Sequence, residues 1–232
     1  MTLLRWLLAL LAALVLTAPR PAFAGPDLVL PSDQYSSAKA KRLATAHAGA
    51  LSELGATLYH CLPWLEVQRH SIGFFRPKHA TADDRYLSVR VFVEQEPSAT
   101  FARLSPEERA SAMFSRYVGH LIRRMARSRA LVEDGDVAGF TVIVEWLKQD
   151  GAVNGRPVHE TIAAFIPTPV ALEYLTGRVG VSGIARRARV LGFDGERALG
   201  EIRLAGWEDD FASTYQLKNY ALPAGVDCRV SR

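Results

Sequence analysis

Apolar residues recur at three- and four-residue steps from Ser36 onward: Leu43, Ala50, Leu51, Leu54, Leu58, Cys61 and Leu62, with Pro63 closing the run. That period predicts a helix with one buried face. Tyr86 to Glu94 changes to a period of two. Leu87, Val89, Val91 and Val93 point one way, Ser88, Arg90 and Glu94 the other, so the segment predicts a half-buried strand. Between these two, residues 66 to 84 mix charged and imidazole side chains with Gly73, Pro77 and Asp83-Asp84 and read as an irregular connection.

The clearest helix start lies at Ser105-Pro106-Glu107-Glu108. Ser105 can cap, Pro106 suits the first helical position, and Glu108 completes a capping box. The helix is expected to run to about Ala130, with an apolar stripe through Met113 or Phe114, Tyr117, Val118, Leu121, Ile122 and Met125. Two hairpins follow. Phe140–Lys148 and Val158–Ile166 are rich in β-branched and aromatic residues, with Asp150-Gly151 and Asn154-Gly155 between them. Thr168-Pro169 opens a short helix through Leu175, capped by Gly177, and Ala188–Phe193 pairs with Glu196–Leu204 across Asp194-Gly195. These elements predict an α+β fold: a mainly antiparallel sheet of about five strands with two long helices packed on one face. Strand 86–94 and strand 158–166 each lead into a Ser/Thr-Pro helix start, a faint internal echo.

The N-terminus has a different character. Arg5, the apolar run Leu7–Leu16 and Ala22-Phe23-Ala24 form the three parts of a signal peptide over residues 1–24, with cleavage expected after Ala24. The run is too short to span a bilayer, and no cysteine follows it to accept a lipid. Residues 25–35 then read as an irregular mature lead and 36–232 as one α+β domain. The expected location is periplasmic or secreted, with no transmembrane segment after cleavage. The Ala- and Arg-rich composition suits a bacterial source.

That address changes the reading of charge and cysteine. The 28 basic residues lose Arg5 and Arg20 with the signal, so the excess over 24 acidic residues falls from +4 to +2. Such a balance gives no argument for nucleic acid as a partner. Cys61 and Cys228 are the only cysteines, and an oxidising compartment predicts a disulfide between them.

Catalytic chemistry finds little support. His60-Cys61, His70 and His79 fit no metal-ligand spacing, so no metal or cofactor is assigned. Gly180-Val181-Ser182-Gly183-Ile184 lacks the final glycine of a nucleophile elbow and reads as a flexible connector. Glu208-Asp209-Asp210 after Trp207 reads as a solvated acidic run, and Asp134 and Asp136 as loop punctuation.

The candidate functional surface is the helix of 105–130. Arg109, Arg116 and Arg123 recur every seven residues, and His120 and Arg127 extend the same side. Arginine forks suit carboxylate and phosphate, so an anionic envelope component or an acidic partner protein is the expected partner. The sequence therefore predicts an exported, non-catalytic binding or interaction protein. The alternative is an envelope hydrolase whose carboxylate and histidine are brought together by folding.

Overall fold

The fold was established from a computed structural model that describes residues 27–62, 64–78, 80–93, 99–153, 156–204 and Cys228. The expected signal segment 1–24, His79 and the acidic run 208–210 lie outside these residues. The α+β class holds, but the sheet is mixed and larger than expected. It contains seven strands: β1 (Leu65–Val67), β2 (Gly73–Phe75), β3 (Arg85–Val93), β4 (Val137–Val153), β5 (Arg156–Pro167), β6 (Arg189–Asp194) and β7 (Arg197–Glu201). Their order is β1-β3-β4-β5-β6-β7, and β2 pairs with the other end of β3 from β1.

The expectation of an antiparallel sheet holds where strands are joined by tight turns and fails at its centre. β3 and β4 run parallel, with Val89 opposite Val142. A parallel pair needs a crossover of a dozen or more residues, and the helical segment between Val93 and Val137 supplies one. The second strand-to-helix unit, β5 into 168–175, returns antiparallel as β6. The internal echo is therefore not a repeat.

Neither of the two long helices is continuous. The first divides at His47 into α1 (Ala38–Ala46) and α2 (Ala48–Cys61). His47 has left the helical region, at φ −107° and ψ 19°, and its N–H closes α1 onto Leu43. Both halves keep the apolar stripe, with Leu43, Leu51 and Leu58 buried. After the short α3 (Ala99–Arg103), the second becomes α4 (Pro106–Met113), one wide π turn (Phe114–Val118) and α5 (Gly119–Met125). It stops short of Ala130, where α6 (Arg129–Val132) begins separately. The capping box at Ser105 and Glu108 forms as expected, with both reciprocal hydrogen bonds in place.

α7 (Thr168–Leu175) matches its sequence signals, and Gly177 follows it with φ +73°. Residues 180–184 are not a flexible connector: Gly180 caps α8 (Val181–Arg187), whose Gly183 and Ile184 are buried. The supposed irregular stretch 66–84 contains β2 and most of β1. Three-residue strands are too short to show a period of two. The lead is also tied down, since Leu28 is buried and Val29 bridges Ile72.

Alternation sorts the strands into two faces. Phe74, Leu87, Val89, Val91, Phe140, Val142, Val144, Trp146, Ile162, Ala164 and Ile166 form the core face with Met113, Phe114, Val118, Leu121 and Ile122 from the helices. Each of the Val, Leu, Ile, Phe and Met side chains among them contributes about 1.5–3 kcal/mol when fully buried. The opposite face carries Arg90, Phe92, Ile143, Glu145, His159, Thr161 and Phe165, all half-buried. Cys61, the last residue of α2, is bonded to Cys228 across a separation of 167 residues.

Candidate functional site

Arg109 leaves the nominated surface altogether. Its side chain is 12% exposed and forks onto Glu160 of β5, Nε donating to Oε2 at 2.7 Å and Nη2 to Oε1. Glu160 also accepts from Trp146 Nε1 at 2.9 Å, and Arg109 Nη1 donates to the Leu104 carbonyl. These bonds hold the Arg109 guanidinium above its usual range, opposed by burial. A buried carboxylate needs this saturation, because an unpaired charge there would be prohibitively costly. Arg109 fastens α4 to the sheet.

The π turn explains why the seven-residue spacing does not gather one face. Seven residues of α-helix turn about 700°, close to two full turns. A turn closed by i→i+5 bonds takes up an extra residue and slips the phase by roughly 100°. Arg109 lies before this turn, Arg116 within it and Arg123 after it. Arg116 and His120 are half-buried and each has an interaction of its own. Arg127 is exposed and lies 3.7 Å from Glu53 of α2.

Arg123 belongs to a different group. Its guanidinium sits 4.9 Å from the centroid of the Tyr174 ring on α7, a cation–π contact. Gly119, one turn earlier, permits that approach: a Cβ there would lie 2.6 Å from Tyr174 Oη and 3.2 Å from Val181 Cγ2. Next to Tyr174, Glu173 accepts both arms of Arg187 from α8, at 3.1 and 2.7 Å, and its backbone carbonyl accepts the N–H of Arg178 at 2.8 Å. The Arg187 fork holds the Glu173 carboxyl below its usual range. Arg178, Arg186 and Arg187 are exposed. Among the described residues Arg123, Arg178 and Arg186 have no carboxylate partner, so of the four arginines on and beside α7 and α8 only Arg187 is paired.

Sequence reasoning passed over Arg178, Arg186 and Arg187, although Arg186-Arg187 with Arg189 is a legible basic run. What was not legible is that α8 folds back on α7 and brings it beside Arg123.

Among the described residues, carboxylate–imidazole pairs are seen at three places. His47 Nε2 lies 2.8 Å from Asp134 Oδ2, and His70 Nε2 lies 2.6 Å from Asp27 Oδ2. Hydrogen bonds from these histidines hold both aspartates below the usual carboxylate range. Both pairs are joints. His47–Asp134 ties the α1–α2 break to the loop before β4, and the neighbouring Asp136 is paired with Lys39 and Arg42 of α1. The third pair is on the second sheet face. Arg90 donates to Glu145 Oε2 through Nε and Nη2, at 3.1 and 2.5 Å, and Gln68 Nε2 donates to the same oxygen at 3.1 Å. His159 Nδ1 is 3.6 Å from Glu145 Oε1, and Phe92 meets the His159 ring edge-on at 5.4 Å.

Among the described residues no group of three or more His, Cys, Asp or Glu is placed to hold a metal ion. No protein-family model, curated protein or solved structure matches this chain.

Proposed function

We propose that the chain is an exported, non-catalytic binding protein that recognises an anionic partner through the arginines around α7. The observation that carries this reading is the excess of positive charge on and beside α7 and α8: Arg178, Arg186 and Arg187 are exposed there and Arg123 stacks on Tyr174, while among the described residues only Arg187 of these four is paired with a carboxylate, that of Glu173. Arginine forks fit carboxylate and phosphate oxygens. The surface replaces the heptad arginines as the contact region, keeping Arg123 from that set. Export follows from the segment 1–24, and it restricts the partner to anions found outside the cytoplasm. Substituting Arg123, Arg178 and Arg186 together by Glu should abolish retention on an immobilised polyanion at low ionic strength, while thermal unfolding stays cooperative. Undiminished retention at low salt, where screening is weakest, would overturn the proposal.

A second reading has its own observation. Glu145 and His159 share the second face of the sheet, with Phe92 against the imidazole, which is the pairing a carboxylate/histidine hydrolase needs. Glu145 is already committed to Arg90 and Gln68, which suits an orienting group more than a proton carrier. Ester or glycoside hydrolysis that disappears in His159→Ala would favour this reading over the first.

A further inference from the structure

Resting on the anion-binding reading, we infer that the partner is an anionic membrane surface, met by the exposed Pro169 and Leu172 of α7 together with the arginines that follow it and those on α8. α7 buries Val170, Ala171 and Tyr174 and turns Pro169 and Leu172 outward, three residues apart. Leu172 is 41% exposed, one of few large apolar side chains so placed among the described residues. Its surroundings are cationic. Arg178 follows three residues after the helix, its N–H hydrogen-bonded back to the Glu173 carbonyl, and Arg186 and Arg187 are exposed on α8.

A soluble anion asks only for cations, whereas an interfacial surface needs apolar residues that enter the headgroup layer together with cations that meet its phosphates. This patch offers both on neighbouring short elements. The Arg187–Glu173 fork holds α8 against α7, so the apolar edge and the basic side chains are presented together. Nothing here crosses the bilayer: among the described residues no helix is long and apolar enough to do so. The contact is peripheral, and the weight of the charges makes it sensitive to salt.

The test is co-sedimentation of the purified protein with vesicles of phosphatidylcholine alone or mixed with phosphatidylglycerol, in parallel with retention on a soluble-type polyanion, sulfated dextran on beads. The expected result is binding to the mixed vesicles only, released by salt near 0.5 M. Each arginine removed in Arg178→Ser and Arg186→Ser lowers partitioning about five-fold. Leu172→Ser weakens vesicle binding without changing retention on dextran. Retention on dextran with no binding to anionic vesicles would overturn the membrane inference and leave the anion-binding reading standing. Failure on both supports would overturn both, and equal binding to the two kinds of vesicle would remove the role of charge. Circular dichroism of each variant establishes that it is folded.

Discussion

Two glycines show how differently the same residue can be required. Gly119 has ordinary helical angles, and its demand comes from outside, since the Tyr174 hydroxyl occupies the space a methyl would take. Gly119→Ala therefore overpacks the α5–α7 contact and should cost about 1–3 kcal/mol, read as a lower midpoint in urea with an unchanged slope. Gly177 has open space around it but sits at φ +73°. Gly177→Ala should cost about 1–2 kcal/mol through backbone strain alone. Arg109→Ala strands the Glu160 carboxylate in the core and should be worse than either, at about 3–5 kcal/mol. Replacing Glu160 by Gln in the same chain removes the stranded charge, so the double variant should recover part of the loss. No recovery in denaturant titration would show that Arg109 acts by packing and not by charge.

Among the elements, α1 is fastened to the start of β4 by aspartates. His47 hydrogen-bonds Asp134, and Arg42 and Lys39 hydrogen-bond Asp136; each contact holds its carboxyl below the usual range. A carboxyl depressed in the folded state adds stability above its unfolded value, near 3.9, and loses it as pH falls through the lower folded value. Thermal midpoints should accordingly be flat with respect to these two groups above about pH 5 and fall below about pH 4. Asp134→Asn and Asp136→Asn should lower the midpoint at pH 7 and flatten the acid limb. Midpoints that drop in parallel with wild type down to pH 3 would show that the acid sensitivity resides elsewhere. The elements also show where local patterns suffice. The capping box at Ser105, the Thr168-Pro169 start and the turn at Asp194-Gly195 appear where their residues place them, because caps and turns act within about four residues. The break at His47 and the π turn at 114–118 were not readable. Neither carries a proline or an interrupted apolar stripe, and both change only the phase of a helix against its neighbours.

In the whole molecule, the Cys61–Cys228 bond closes a loop that holds all seven strands and α3 to α8. Reduction should lower stability by at most about 5 kcal/mol in the chain-entropy view. The measurement is the shift in guanidinium midpoint between oxidised protein and protein held in reductant, with the double Cys→Ser variant expected to match the reduced form. Denatured protein without reductant should show no free thiol.

The chain's own order of residues settles what depends on near neighbours. The α+β class, the hairpins and the buried stripes follow from periodicity and turn chemistry. Three matters depend on distant segments meeting. The parallel join of β3 and β4 comes from a helical crossover whose return direction no local signal encodes. The fate of Arg109 rests on Glu160, far along the chain, whose burial demands a cation. The basic region exists because α8 folds against α7, held by the Arg187–Glu173 pair, so arginines scattered along the chain come to lie on neighbouring short elements. Spacing along a helix describes a face only while the turns stay regular; which charges stand together is decided by packing.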